Sequence, residues 1–187
     1  MMFGADIDEL ARKLVKLCAD EGVKLATAES CTGGLVGGAL TSVPGSSAVV
    51  ERGFITYSND AKIEVLGVDA LALEQFGAVS AEVAAQMARG AVEFSHADLA
   101  VSVTGIAGPD GGTDEKPVGL VYIGIATRAG TSMHYKCNFN GDRESVRLQA
   151  VAEALRLLLM IAEPDKDELQ LDELGGGPLA GAELDFD

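Results

Sequence analysis

The sequence ATAESCTGG, residues 26–34, passes from an apolar segment through three adjacent polar residues to a glycine pair. The segment before it, VKLATAE (23–29), is short and apolar and predicts a strand, whereas GGLVGGALTSV after it predicts a helix that begins near residue 32. Ser30 therefore lies where a strand gives way to a helix. Ser30 and Thr32 are residue types that commonly cap helices, so a cap is the first role we expect here.

The same position could also carry chemistry. Free backbone N–H groups at a helix start can hold a developing oxyanion while the Ser30 hydroxyl attacks. Gly33 and Gly34 would let a substrate approach the backbone closely. Cys31 is the rival nucleophile, but free cysteine is more often a buried apolar residue, and no histidine lies near it in sequence. At this point both roles of Ser30, cap and nucleophile, stay open.

Outward from this stretch, helical and strand patterns alternate along the chain. Periodicity and apolar runs predict helices at 6–20, 59–68, 80–95 and 142–162, and strands at 51–58, 98–107, 119–130 and 132–141. We expect Asn59 or Asp60 to cap the second of these helices and Asp142 to cap the last. The interleaved elements predict an α/β fold, a single layered domain with a mixed sheet flanked by helices.

Charge and composition set the boundaries of the domain and exclude several partners. Of the net charge of −15, −8 falls in residues 163–187, which we interpret as a flexible acidic tail after a domain at 1–162. Such a charge disfavours a nucleic-acid partner, and no apolar run is long enough to span a membrane. The acidic N-terminus does not resemble a signal peptide, so we expect a cytoplasmic protein. Three cysteines at unrelated spacings indicate neither a disulfide framework nor a metal site.

A nucleophilic serine needs a base, and Lys62 is the best candidate. Lys62 falls in the first turn of a predicted helix, where the helix dipole disfavours its charged form, and burial would act the same way. A neutral lysine amine can accept the serine proton near neutral pH. Tyr57, at the end of the preceding strand, could relay that proton or orient the amine. The ordinary alternatives are a solvated Lys62 and an aromatic Tyr57 at the edge of the core.

Four motifs together resemble one known family. They occur in order as TAESCTGG (27–34), GFITYSNDAK (53–62), SVTGIAGPDGG with KPVGLVYIGIA (102–126), and GDRESVRLQAV (141–151). Their order and spacing resemble the CinA C-terminal domain family over about residues 8–160, and stand-alone members of that family include nicotinamide mononucleotide amidases. The resemblance implies a hydrolase of pyridine nucleotide salvage that converts nicotinamide mononucleotide to nicotinic acid mononucleotide and ammonia. It implies Ser30 as nucleophile, Lys62 as its base and Tyr57 as an assisting hydroxyl.

The substrate of such an enzyme is a small nucleotide, and two features could hold its phosphate. The loop TGIAGPDGGTDEKPVG (104–119) is rich in glycine, and its N–H groups could form an anion-binding nest. Arg143 adds a cation at a helix start. We expect no cofactor, and we expect a homo-oligomer, with a dimer as the leading candidate. The substrate-binding residues predicted in this way are Thr32, Gly33, Gly34, Thr104, Gly105 and Arg143.

Two other classes of protein compete with this interpretation. TGGLVGGA (32–39) imitates a glycine pattern of short-chain dehydrogenases, but Tyr57 and Lys62 have the wrong spacing for that family's Tyr and Lys pair and follow the glycines too soon. The other alternative is a non-catalytic CinA-like binding module in competence or damage response. Intact Ser30, Tyr57 and Lys62 speak against it.

Overall fold

A computed structural model describes residues 3–163, which form one five-stranded sheet and six α-helices. The strands are Leu25–Glu29 (β1), Val50–Ile55 (β2), Leu99–Gly105 (β3), Leu120–Thr127 (β4) and Ser132–Asn138 (β5). The helices are Ala5–Glu21 (α1), Leu35–Thr41 (α2), Asn59–Leu66 (α3), Ala70–Phe76 (α4), Ala81–Glu93 (α5) and Arg143–Ala162 (α6). The predicted α/β class is confirmed. The predicted tail lies outside the described residues apart from Glu163.

The order and direction of the strands bring three carboxyl ends to the same end of the sheet. The order is β2-β1-β3-β4-β5, with β1 parallel to both β2 and β3, while β4 runs antiparallel to β3 and β5. The carboxyl ends of β1, β2 and β3 therefore lie side by side at the same end of the sheet. In open α/β sheets, ligands bind at the carboxyl ends of the strands. No helix within residues 3–163 is long and apolar enough to cross a membrane.

Helices cover both faces of the sheet, and the two faces differ in the size of their side chains. Helices α1, α2 and α6 pack on the face that β3 covers with Leu99, Val101 and Val103. Helices α3, α4 and α5 pack on the opposite face, to which β1 contributes Ala26 and Ala28. This difference follows from alternation, because successive strand residues point to opposite faces.

The face with small residues lets α5 approach the sheet closely. The Ser102 hydroxyl on β3 donates to the Ala84 carbonyl of α5 at 2.6 Å, and the Gly124 N–H on β4 donates to that hydroxyl at 3.2 Å. A Cβ at Gly124 would lie 2.3 Å from the Ala84 carbonyl oxygen. Any side chain at this position would therefore push α5 away from the sheet.

Several predicted boundaries need correction. The helix expected near residue 32 begins at Leu35, because Gly33 and Gly34 adopt positive φ angles of 60° and 95° and hold a turn instead. The strand predicted to reach residue 58 ends at Ile55. The cap of α3 is neither Asn59 nor Asp60. It is Ser58, whose side chain accepts from the Ala61 N–H.

One predicted helix cap is confirmed, and one helix was not predicted. Asp142 caps α6 as expected, since its side chain accepts from the Ser145 N–H. Helix α4, capped by Asp69, was not predicted. Its seven residues are too few to show a clear helical period in the sequence.

We predict that Gly124→Ala destabilises the domain by about 1 to 3 kcal/mol, the usual cost of overpacking. Gly38→Ala is the matched control, because Gly38 lies in a helix and an added Cβ would meet only the Phe3 ring at 3.6 Å, an ordinary contact. The free energy of unfolding from urea titration measures both changes. Equal stability of the two variants would show that α5 yields freely at Gly124.

Candidate active site

Ser30 follows β1 directly, at the end of the sheet where the carboxyl ends of the parallel strands lie. Its backbone N–H donates to the Val103 carbonyl of β3 at 2.9 Å, so the residue continues the sheet by one position. The Glu29 carbonyl accepts from the Thr56 N–H at 2.9 Å on the other side. Both neighbouring strands therefore fix the backbone from which the Ser30 side chain extends. Ser30 is 9% exposed.

The start of α2 is capped by a residue that the sequence did not suggest. Gly34 is the N-cap residue, and no side chain of that residue is available to cap the helix. Instead, the Glu29 carboxylate accepts from the backbone N–H groups of Gly34, Val36 and Gly37 at 2.8 to 3.0 Å. The predicted cap, Ser30 or Thr32, is therefore wrong. Those three N–H groups already have an acceptor, so they are not the free donors expected at this helix start.

Lys62 brings its amine to Ser30 from the helix that follows the neighbouring strand, β2. It lies in the first turns of α3 and is 1% exposed. Its Nζ atom lies 3.1 Å from the Ser30 Oγ, 2.9 Å from the Thr56 carbonyl oxygen and 3.3 Å from the Tyr57 carbonyl oxygen. Among residues 3–163, no carboxylate forms an ion pair with this amine.

These three contacts suit a neutral amine that acts as a base. A neutral amine has two N–H donors and one lone pair. The carbonyl oxygens of Thr56 and Tyr57 can only accept, so they take the two N–H groups. In this neutral form the lone pair remains for the Ser30 hydroxyl, which donates to it, whereas in the charged form the third N–H of the amine donates to the Ser30 Oγ. This is the hydrogen bond that must exist before a serine proton can move to a lysine.

Burial has opposite consequences for the two groups that could titrate here. It lowers the pKa of the Lys62 amine from its ordinary value of 10.5, while the neighbouring Cys31 acts weakly the other way. It raises the pKa of the Cys31 thiol to about 11. The amine is therefore neutral, and able to accept a proton, at a lower pH than an exposed lysine, whereas the thiol stays protonated and is a poor nucleophile near neutral pH.

Tyr57 and Arg143 form the outer rim of the site. The Tyr57 side chain is 63% exposed, and its hydroxyl accepts from the Arg143 Nη2 at 3.3 Å. The Arg143 Nη1 donates to the Gly108 carbonyl at 2.8 Å, which ties the start of α6 to the glycine-rich loop. Tyr57 contacts the Lys62 amine only through its backbone carbonyl. Its hydroxyl is directed to the rim rather than to the amine.

The remaining predicted substrate residues fall into two groups. Thr104 and Gly105 are packed against protein: the Thr104 hydroxyl donates to the Ala78 carbonyl at 2.8 Å, and a Cβ at Gly105 would lie 2.8 Å from the Leu120 carbonyl oxygen. Gly33 and Gly34 lie in the turn after Ser30, and Gly33 is exposed. The first pair fixes where the loop begins, and the second pair borders the site itself.

Arg147, which the sequence did not single out, lies on the other side of the Ser30 loop. Its Nε donates to the Cys31 carbonyl at 3.1 Å and its Nη2 to the Thr32 carbonyl at 2.9 Å. Within residues 3–163, no group of three or more His, Cys, Asp or Glu side chains is arranged to hold a metal ion.

Comparison with known proteins shows the family of this chain. The CinA C-terminal domain matches residues 7–161, which is nearly all of the described chain. The chain belongs to the CinA C-terminal domain family.

Relatives of this CinA domain carry two kinds of name. The nicotinamide-nucleotide amidohydrolase PncC of Enterobacter agglomerans is 50% identical over 82% of the chain and 93% of its own length. A competence-damage inducible protein of Caldicellulosiruptor saccharolyticus is 50% identical over 84% of the chain. The chain spans only 38% of that relative's length. Competence/damage inducible protein CihA from Agrobacterium tumefaciens has a crystal structure with a TM-score of 0.86 and 49% identity, covering 87% of this chain and 99% of its own.

Two residues of the CinA domain's site, Glu29 and Arg147, were missed because their contacts are not local in sequence. Glu29 belongs to a strand and caps a helix five to eight residues later, which no standard capping pattern describes. Arg147 bonds residues more than a hundred positions away. One signal was present, since Arg147 follows Arg143 by four positions and must share its face of the helix.

We predict that Glu29→Gln lowers the free energy of unfolding by about 1.5 to 3 kcal/mol, because hydrogen bonds to a buried charged acceptor are strong and an amide cannot accept at both positions. Asp69→Ala removes an exposed cap from α4 and is the matched control, with an expected loss of about 1 kcal/mol. Urea titration compares the two. A smaller loss for Glu29→Gln than for Asp69→Ala would contradict the role given to the buried carboxylate.

Proposed function

We propose that this CinA domain is a nicotinamide-nucleotide amidohydrolase that converts nicotinamide mononucleotide to nicotinic acid mononucleotide and ammonia. The observation that carries the proposal is the buried Lys62 amine, 3.1 Å from the Ser30 hydroxyl and held by two carbonyl oxygens. The PncC relative, which this chain matches over almost its whole length, supports the choice of substrate.

The proposed reaction proceeds in two halves through an ester of Ser30. The Ser30 Oγ attacks the amide carbon while Lys62 takes the hydroxyl proton. The tetrahedral intermediate then breaks its C–N bond, and Lys62 returns the proton so that ammonia leaves. Water attacks the resulting ester and gives its proton to Lys62. The C–O bond to Ser30 breaks, Ser30 regains its proton, and the carboxylic acid is released.

The rim supplies the contacts for the nucleotide phosphate. Arg143 is the exposed cation between Tyr57 and the glycine-rich loop, and guanidinium groups bind phosphate through paired hydrogen bonds. The exposed Tyr57 ring gives the same rim an apolar surface for the rest of the substrate. The homo-oligomer and the cytoplasmic location expected from the sequence stay predictions.

A second candidate is a non-catalytic module in competence or damage response. The names of the Caldicellulosiruptor and Agrobacterium proteins favour it, together with the greater length of the former. A binding module would not need a lysine amine buried without a carboxylate partner, because that arrangement destabilises the charged form. Turnover therefore separates the two candidates.

Ammonia release from nicotinamide mononucleotide by the purified chain tests the proposal. Ser30→Ala should abolish turnover and keep the fold, whereas Cys31→Ala should have a mild effect because its thiol stays protonated. Nicotinamide riboside, which lacks the phosphate, should be a poorer substrate. An inactive wild-type chain would favour the binding module, and an inactive Cys31→Ala with an active Ser30→Ala would reassign the nucleophile.

We predict that kcat/KM rises with pH through the depressed pKa of Lys62. The neutral amine is the base, so activity is lost as the pH falls below that pKa and the amine becomes protonated. Lys62→Arg should be nearly as inactive as Lys62→Ala, because guanidinium does not release its proton near neutral pH. Activity across pH measures both expectations.

Lys24→Arg is the control for this prediction. Lys24 also donates to a backbone carbonyl, that of Ala48, but it lies beyond the opposite end of β1. Its substitution should leave the pH profile unchanged. An active Lys62→Arg enzyme with an unaltered profile would remove Lys62 from the role of base.

A further inference from the structure

The loop that carries Ser30 uses nearly all of its backbone donors internally. From Ser30 to Gly37, the N–H groups with protein acceptors are those of Ser30, Gly33, Gly34, Leu35, Val36 and Gly37. The Gly33 N–H closes a turn by donating to the Ser30 carbonyl at 3.1 Å. Cys31 and Thr32 are the two central residues of that turn. Their two N–H groups are therefore the candidate donors to a substrate in this stretch.

The contacts of Arg147 distinguish the Thr32 N–H from the Cys31 N–H. No acceptor among residues 3–163 receives the Cys31 N–H, which shares a peptide unit with the Ser30 carbonyl that accepts from the Gly33 N–H. No acceptor among residues 3–163 receives the Thr32 N–H, and the Thr32 hydroxyl is also buried without a partner. Buried polar groups in proteins are nearly always paired, so an unpaired one at a reactive site indicates a ligand that completes it.

Arg147 fixes the direction of this N–H. The Cys31 carbonyl and the Thr32 N–H belong to one planar peptide unit, in which the two groups point in opposite directions. Because the Cys31 carbonyl accepts from the Arg147 Nε at 3.1 Å, the Thr32 N–H is turned away from α6. The second bond of Arg147, to the Thr32 carbonyl at 2.9 Å, prevents the next peptide unit from rotating.

We propose that Arg147 is a positioning residue that holds the Thr32 backbone N–H as the donor to the oxyanion formed during attack by Ser30. This inference rests on the proposed function, because it assumes that Ser30 is acylated by an amide. The positive guanidinium also draws electron density through the Cys31 carbonyl, which makes the N–H of the same peptide unit a stronger donor. An oxyanion gains from such a preoriented donor more than a neutral carbonyl does.

An arginine is required for this role. The two carbonyls of Cys31 and Thr32 are bound by different nitrogens of one planar group, Nε and Nη2. A lysine ammonium is a point charge on a flexible stem and does not reproduce that fork. Arg147→Lys should therefore keep the charge and recover only part of the activity that Arg147→Met loses.

The first experiment measures kcat and KM for nicotinamide mononucleotide in Arg147→Met and Arg147→Lys. Because the role is indirect, we expect kcat of Arg147→Met to fall roughly 10- to 100-fold, somewhat less than the loss of an oxyanion donor itself, with KM and the pH profile nearly unchanged. Arg156→Met is the matched control, since Arg156 lies on the same helix and is paired with Glu153 at the surface. It should behave as wild type.

Three results would overturn the inference. A rise in KM that disappears with nicotinamide riboside would make Arg147 a phosphate ligand. A loss of kcat that is fully restored by lowering the temperature, together with a reduced Tm, would make it a structural residue. Full activity of Arg147→Met would leave it without a role in the reaction.

A chemical probe tests the donor without depending on the proposed substrate. An alkyl fluorophosphonate phosphonylates a reactive serine: the Ser30 Oγ–P bond forms, the P–F bond breaks, and the serine proton passes to Lys62 as fluoride leaves. Its phosphoryl oxygen occupies the oxyanion position. We expect the rate of Ser30 labelling, read by mass spectrometry, to fall in Arg147→Met in proportion to kcat and to stay unchanged in Arg156→Met.

The two experiments together separate failure of the inference from failure of the proposed function. Labelling that is slowed in Arg147→Met, in a chain that does not hydrolyse the mononucleotide, would support the inference and refute the substrate. Equal labelling of wild type and Arg147→Met would overturn the inference and leave the amidase intact. A wild-type Ser30 that neither labels nor turns over would overturn both.

Discussion

The buried amine of Lys62 is the constraint around which the site is organised. It requires polar partners, and it finds them at the place where two parallel strands end side by side. The β1 end supplies the Ser30 hydroxyl, and the residues after β2 supply two carbonyl oxygens that strand pairing has left free. If β1 and β2 ran antiparallel, these groups would lie at opposite ends of the sheet. The parallel pairing of β1 and β2 is therefore what brings the Ser30 hydroxyl and the Lys62 amine together.

Glu29 and Arg147 satisfy the polar groups around Ser30 from opposite sides. The carboxylate takes the N–H groups that begin α2, and the guanidinium takes the carbonyls of the preceding turn. A buried loop with unpaired backbone would be costly, so each charge stabilises the groups of opposite polarity. As a result, most backbone N–H groups between Ser30 and Gly37 already have an acceptor within the protein. The N–H groups of Cys31 and Thr32 are the two in this stretch that have no protein acceptor among residues 3–163.

Sequence patterns predicted the elements well and the polar contacts poorly. The α/β class, Asp142 as the cap of α6, and the place of Lys62 in the first turns of a helix follow from local periodicity and residue type. The start of α2 was misplaced because Ser30 and Thr32 are good caps in isolation, whereas two glycines with positive φ direct the chain through a turn. Glu29 and Arg147 were not assigned from the sequence, since the glycine turn brings the start of α2 to Glu29 and the packing of α6 brings the Ser30 loop to Arg147. The roles of Ser30, Tyr57, Lys62 and Arg143 in a reaction stay predictions.

Burial of Lys62 also couples folding to proton exchange with the solvent. Its pKa is lower in the folded chain than in the unfolded one, so between these two values the unfolded chain carries a proton that the folded chain does not. Folding in that range of pH releases a proton, and the contribution of this group to stability becomes more favourable as the pH rises. Acidification therefore protonates this amine and lowers its contribution to the stability of the fold, and that contribution is most favourable where the folded chain holds the lysine neutral.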